Sequence, residues 1–358
     1  MSATLHSLFM AHLNETPNGI WLMGRDGFTR TYAEVYADVD HFARGMAGFG
    51  IKRGDVVTSY LKTPYQVITL KMACWFMGVS VFSADNLHAE MMMEYSTAAG
   101  SQFIMTEYFF GQVSDQVFGS VDWAPANPED TLMVRLSSGT TGPRKLSFDT
   151  NTKRIGRALK AASVFETGPS DRIYLNNWFE GGQVNNILHS LVSGCRYVVH
   201  SDGDFTELLE ETQPTYIVAV QDAMSTWPMD AFLAADISSV RFITPKPTWS
   251  AERCETVEAA MPNGKMRCIY TSSDLCWLIS TAADDPANIR WTSIGRVDGI
   301  DSKVEENQIW VKNDKMCRIS NPEQVAGNIS PDGVWYRTGD VVTVDAEGYL
   351  YLTGERVI

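Results

Sequence analysis

Two hydrophobic periods alternate along the chain. Val35, Val39, Phe42, Ala43 and Met46 recur at helical spacing, so a helix is predicted to open at Thr31-Tyr32-Ala33-Glu34 and to stop at Gly48 and Gly50. Gly54-Asp55 turns the chain into an apolar run, Val56 to Tyr60, which predicts a strand. Helical spacing returns from Pro64 to about Met77 through Val67, Leu70, Ala73 and Cys74, and Gly78 ends it. A strand at 79–82, a helix at 89–99 and a strand at 103–106 follow. The three methionines at 91–93 read as packing of that helix rather than as a copper site.

The alternation resumes further on. Leu132-Met133-Val134 predicts a strand and Thr152 to Ala162 a helix. Strands are predicted at 172–175, 196–199, 217–220 and 240–243, with helices at 183–192 and 223–235 between them. Such alternation predicts largely parallel sheets joined by crossover helices. From Ser293 the pattern changes to short alternating strands at 303–305, 308–312 and 348–352, which suggest a small β-barrel. The predicted fold is therefore α/β. It has two alternating α/β subdomains, 1–165 and 166–292, and a mainly β-barrel subdomain, 293–358.

Composition narrows the function. With 29 basic and 43 acidic residues the net charge is −14, which makes nucleic acid and anionic membranes poor partners for the surface as a whole. No apolar window approaches the ~18–20 residues of a membrane span, no basic n-region opens the chain, and a cytoplasmic protein is expected. The six cysteines show no CxxC pair and read as buried free thiols of a reducing compartment. The six histidines lack metal-ligand spacing, so zinc is not expected.

One stretch concentrates the chemistry. Leu136-Ser137-Ser138-Gly139-Thr140-Thr141-Gly142-Pro143-Arg144-Lys145 offers backbone N–H groups without Cβ obstruction, hydroxyl donors and two cations, which are the parts of a phosphate cradle. A flexible linker has a similar composition, but the strand before and the helix after favour the cradle. It is not a Walker loop, because Arg144 and Leu146 flank the lysine where that motif needs Gly and Ser or Thr.

Ser-Ser-Gly-Thr-Thr-Gly with a nearby lysine resembles the phosphate loop of adenylate-forming enzymes: acyl- and aryl-CoA ligases, peptide-synthetase adenylation domains and luciferases. Two further stretches extend the resemblance. Tyr270-Thr271-Ser272-Ser273-Asp274 resembles the family's Tyr-Gly-x-Thr-Glu, with Thr271 replacing the Gly and Asp274 the Glu. Tyr336-Arg337-Thr338-Gly339-Asp340 matches the family form in full. The resemblance implies that Ser138, Gly139, Thr140, Thr141, Gly142 and Lys145 hold ATP phosphates. It further implies that Tyr270 stacks on adenine, Ser273 bonds the α-phosphate, Asp274 places Mg²⁺, and Asp340 accepts from the ribose hydroxyls. Lys145, Ser273 and Asp274 are the catalytic candidates.

Trp178-Phe179-Glu180-Gly181-Gly182, followed by Gly194, resembles the acyl-pocket stretch of CoA ligases. That places Phe179, Glu180 and Gly181 at the substrate and favours an acyl or aryl acid over an amino acid. Glu180 either holds a substrate amine or is a solvated loop residue. Pro245-Lys246-Pro247 departs from the family's Gly-Gly-Ala or Gly-Gly-Ser; Lys246 either meets a substrate anion or is simply exposed. The implied activity is ATP- and Mg²⁺-dependent conversion of a small carboxylic acid to an acyl-adenylate, passed to the thiol of CoA or of carrier-protein phosphopantetheine.

The last residues, Leu352 to Ile358, resemble the hinge before the family's C-terminal lid, with Glu355 where Arg is expected. The lid and its catalytic lysine are absent from the sequence. The chain is either cut at the hinge or a natural lidless protein. A lidless module that binds nucleotide or acyl-adenylate without turnover is the alternative reading.

Overall fold

A computed structural model describes residues 3–116, 121, 123, 127–136, 144–175, 180–200, 205–218, 229–244, 250–272, 274–281 and 285–357. The helix Tyr32–Gly48 begins as the sequence predicts: Thr31 Oγ1 accepts from the Glu34 N–H at 3.2 Å, and Glu34 Oε2 accepts from the Thr31 N–H at 2.8 Å. This reciprocal cap satisfies two N–H groups that a helix start leaves unpaired. Pro64 fits the first turn of Pro64–Met77, and Gly78 closes that helix at φ 72°, a left-handed conformation that costs a residue without Cβ little.

Two mostly parallel sheets carry the molecule. In the first, Phe103–Thr106, Val56–Tyr60, Ser80–Ser83 and Thr131–Leu136 run parallel; Leu146–Thr150 and then Arg318–Ile319 add antiparallel at one edge. In the second, Lys265–Met266, Phe242–Thr244, Tyr216–Val218, Arg172–Leu175, Arg196–Val198 and Ile20–Met23 run parallel, and Thr29–Thr31 closes the other edge antiparallel. A single apolar cluster reaches from Leu5 and Phe9 through Phe76 and Leu188 to Phe242, so helices between the sheets bury side chains from both halves.

The sheets do not respect the expected boundary at residue 165. Strands 20–23 and 29–31 belong to the second sheet, and strand 318–319 belongs to the first. The ribbon Ile269–Tyr270 with Ile279–Ser280 likewise packs with the third unit rather than within the second. Local periodicity identifies a strand but carries no information about its partner, which is why these exchanges were invisible.

The third unit is an antiparallel sheet ordered Ser302–Glu305, Gln308–Lys312, Trp335–Val344 and Leu350–Arg356. Among the described residues these strands form an open sheet, and closure into the expected barrel is not seen. The last strand begins later than expected because Asp345 Oδ1 accepts from the Glu347 and Tyr349 N–H groups, holding a turn through Gly348. Of the expected helix 223–235, the segment Met229–Ala234 is helical and residues 219–228 lie outside the described residues. Among the described residues no helix is long and apolar enough to cross a membrane.

Candidate active site

Three sequence-distant stretches meet beside the edge of the first sheet. Lys145 directly precedes the strand Leu146–Thr150, with which the edge strand Arg318–Ile319 pairs antiparallel, Arg318 opposite Phe148 and Ile319 opposite Ser147. The ribbon strand Ile269–Tyr270 leads into Asp274. The long strand Trp335–Val344 carries both Tyr336 and Asp340.

Two tyrosine–aspartate bonds cross-link the second and third motifs. Tyr270 Oη donates to Asp340 Oδ2 at 2.5 Å, and Tyr336 Oη donates to Asp274 Oδ2 at 2.9 Å. Each motif thus contributes one phenol and one carboxylate. Tyr336 is 2% exposed, so its hydroxyl can satisfy its bonding only inside the protein, and it holds Asp274 in place. Lys145 Nζ lies 3.7 Å from the same Asp274 Oδ2, which brings the first motif into the assembly. Sequence reading selected Lys145, Tyr270, Asp274 and Asp340, and the structure collects all four; it missed Tyr336. The signal for Tyr336 was its place at the head of the Tyr-Arg-Thr-Gly-Asp match.

Gly339 has a conformational reason to precede Asp340. Its φ is 81°, and a Cβ there would stand 2.5 Å from the Val357 carbonyl oxygen. The Asp340 N–H is in turn held by Thr338 Oγ1 at 3.2 Å.

Behind this assembly lies a buried charge cluster that sequence reading also missed. Asp149, fully buried, accepts from Arg135 Nε at 2.7 Å, from Arg154 Nε at 2.8 Å, and again from Arg154 Nη2. Burial alone raises the Asp149 carboxyl, but the two guanidinium charges outweigh it and hold the group well below the usual carboxylate range. Arg154 Nη1 also donates to Asn185 Oδ1 at 2.7 Å, tying the cluster to the helix Glu180–Ser193. One turn further on, Arg157 Nη1 donates to Thr271 Oγ1 at 3.0 Å; burial, then repulsion from Arg154 and Arg135, lowers its guanidinium to about 10. The available signal was the placement of Arg135 and Asp149 within apolar strands.

Several expected site residues lie outside the described residues: Ser138, Gly139, Thr140, Thr141 and Gly142 of the phosphate loop, and Phe179, Lys246 and Ser273. Glu180 and Gly181 are described only as backbone of the helix Glu180–Ser193.

The donor set can be tested against Mg²⁺. Asp274 is 8% exposed, and among the described residues its bonds engage Oδ2 while Oδ1 receives none. One or two hard carboxylate oxygens are the usual protein contribution to Mg²⁺, the remaining ligands coming from phosphates and water. Asp274 therefore fits that ion. Among the described residues, the compact group of ligating side chains Asp149, Cys276 and Cys317 does not: two of its atoms are soft sulfurs, and the Asp149 carboxylate is engaged by guanidinium groups.

The sequence matches the AMP-binding enzyme family over residues 9–330. The chain belongs to that family. It is 28% identical over 250 residues to the indoleacetate–CoA ligase of Aromatoleum aromaticum, a match covering 64% of this chain and 48% of that protein. It is 22% identical over 391 residues to the 2-succinylbenzoate–CoA ligase of Bacillus subtilis, covering 96% of this chain and 79% of the relative. Among solved structures, the Bacillus subtilis O-succinylbenzoate coenzyme A synthetase in complex with ATP and magnesium ion superposes with a TM-score of 0.83 at 19% identity, over 98% of this chain and 82% of that one. As an AMP-binding enzyme the chain has the expected fold, and the crossed Tyr–Asp pairs lie where the second and third sequence motifs meet.

Proposed function

We propose that this AMP-binding enzyme activates a carboxylic acid, an acyl or aryl acid rather than an amino acid, through an acyl-adenylate. The substrate carboxylate attacks the α-phosphorus of ATP; a new O–P bond forms, the bond to the β-phosphate oxygen breaks, and pyrophosphate leaves. The adenylate then passes its acyl group to a thiol, that of coenzyme A or of a carrier-protein phosphopantetheine, and releases AMP. The observation that carries this reading is the pair of crossed Tyr–Asp bonds, which fixes two carboxylates, that of Asp274 lying 3.7 Å from Lys145 Nζ.

In this reading Asp340, oriented by Tyr270, accepts from the ribose hydroxyls with its carboxylate oxygens. Tyr270 presents its ring to adenine. Lys145, with Ser138, Gly139, Thr140, Thr141 and Gly142, holds the phosphates, and Ser273 donates to the α-phosphate. Asp274 would hold Mg²⁺, which when bound would supply neutralisation of charge on the transferring group and the leaving pyrophosphate. Phe179, Glu180, Gly181 and Lys246 border the acid. This is chemistry of positioning and electrostatics, with no group on the protein forming a covalent bond. Six buried cysteines outside any disulfide accord with a reducing, cytoplasmic setting.

The deciding experiment incubates the chain with ATP, Mg²⁺ and a pool of carboxylic acids and seeks acyl-AMP by mass spectrometry. An acyl-AMP species that Asp340→Ala abolishes supports the reading and identifies the acid. Nucleotide binding with no adenylate from any acid supports the binding-module alternative instead.

A further inference from the structure

Two thiols 41 residues apart in sequence lie in contact next to the candidate site. Cys276 Sγ and Cys317 Sγ are separated by 3.2 Å, and both residues are 3% exposed. Their placement follows from the backbone. Leu275 and Met316 form an antiparallel bridge, in which the Cys276 N–H donates to the Lys315 carbonyl and the Cys317 N–H donates to the Asp274 carbonyl, each at 2.9 Å. The cysteines each follow one member of that bridge, so they project to the same side and meet diagonally across it.

The surroundings are charged rather than apolar. Arg135 Nη2 stands 3.4 Å from Cys317 Sγ, and Arg135 is itself anchored on Asp149. Cys276 Sγ lies 3.6 Å from Asp149 Oδ1. The pair is therefore embedded in a polar pocket of fixed charges, whereas Cys74, for example, is packed among the apolar side chains of the main core. A thiol with a guanidinium beside it and a second thiol in contact is arranged for oxidation chemistry.

We propose that Cys276 and Cys317 form a reversible disulfide on exposure to a peroxide, tethering the segment that carries Asp274 to the segment that precedes the edge strand Arg318–Ile319. In the first step one thiol sulfur attacks a peroxide oxygen, the O–O bond breaks, and water leaves with the thiol proton, giving a sulfenic acid. In the second step the other thiol attacks that sulfur, the S–S bond forms, the S–O bond breaks, and a second water leaves. Two electrons pass from the two sulfurs to one peroxide. A small dithiol supplies them back and restores both thiols.

The sulfurs must close from 3.2 Å to about 2.05 Å, a movement of about 1 Å that the two segments absorb. Because the Cys317 N–H is bonded to the Asp274 carbonyl, that movement reaches Asp274 directly. Small peroxides resemble water in size and reach thiols that protein-sized oxidants do not. The expected result is that oxidation lowers adenylate formation several-fold, a consequence that rests on the function proposed above.

The test treats the intact, folded chain with hydrogen peroxide, alkylates remaining thiols, digests without reduction and maps linked peptides. The expected result is a Cys276–Cys317 linked peptide that dithiothreitol abolishes, with Cys74, Cys195, Cys254 and Cys268 recovered as alkylated thiols. Cys276→Ser and, separately, Cys317→Ser remove the link and leave the remaining partner as a singly oxidised thiol; the second variant stands in if the first does not fold. Recovery of both as free thiols, or as separate sulfinic acids without a link, overturns the proposal. The mapping needs no enzymatic activity, so failure of the reduced chain to make any acyl-AMP counts against the function reading and leaves the linkage result standing.

Discussion

The phenol of Tyr270 donates to the carboxylate of Asp340 across 2.5 Å, joining residues 70 positions apart. The bond fixes the orientation of the carboxylate that the proposed mechanism assigns to ribose. Asp340→Ala is expected to weaken ATP binding by about 10- to 100-fold, the range for losing hydrogen bonds to a charged group. Tyr270→Phe keeps the carboxylate and loses only its anchor, so a few-fold loss is expected. Calorimetric titration with a non-hydrolysable ATP analogue measures both, and equal losses in the two variants would count against Asp340 as the direct contact.

Tyr336 serves Asp274 as Tyr270 serves Asp340. Removing its hydroxyl leaves the Asp274 carboxylate without its buried donor. Tyr336→Phe is expected to cost about 1–2 kcal/mol of stability and to raise the Mg²⁺ concentration needed for half-maximal adenylation several-fold. Asp274→Asn, which removes the charge itself, is expected to slow adenylation about 10²-fold or more. A Mg²⁺ titration of pyrophosphate release distinguishes them; an unchanged Mg²⁺ requirement in both variants removes Asp274 from the metal site.

Asp149 neutralises the buried guanidinium of Arg154 and the largely buried one of Arg135, and Asp149→Asn is expected to destabilise the fold by about 3–5 kcal/mol. The native carboxyl is depressed, so its contribution is complete above the unfolded value of about 4 and disappears as pH falls through the native one. The stability gap between wild type and variant should therefore be constant near neutrality and narrow only below about pH 4. Chemical denaturation of both proteins along a pH series checks the sign.

His189 gives a second pH dependence at a higher pH. It is buried beside Thr167, with Nε2 2.6 Å from Oγ1, and burial lowers its imidazole to about 4, opposed in part by Asp171. Between about pH 6.5 and 4 the unfolded chain binds this proton and the folded chain does not, so acid removes stability across that window. The full difference is on the order of 3 kcal/mol. His189→Gln should flatten the wild-type profile between those values, and a wild-type profile already flat there refutes the assignment.

What could be read from the sequence was local. Tyr270, Asp274 and Asp340 stand in short contiguous motifs whose chemistry is complete within five residues, and the capped helix at Thr31 and the Gly78 stop are equally local. What could not be read depends on pairing. Tyr336 looked like part of a motif, and only folding brings it to Asp274, 62 residues away. Arg135 and Asp149 stand on two strands and Arg154 on the helix Asn151–Phe165, and their cluster exists only once folding brings these elements together. Cys276 and Cys317 escape any spacing rule because a bridge between distant segments sets their approach.

The exchange of strands between the two sheets has a kinetic consequence. Leu22 pairs with Tyr197, and Ser147 pairs with Ile319, so both sheets are completed by partners more than 150 positions away. Such pairings raise the contact order and slow folding, since a long loop must close before its contacts stabilise anything. During synthesis the first hairpin emerges long before the strand it joins, and the first sheet keeps an open edge until residues 318–319 appear. Exposed strand edges of that kind template aggregation. Neither half can therefore be released as an autonomous fragment by cutting near residue 165, and a nascent chain stalled between residues 200 and 318 is where demand for chaperones should be greatest.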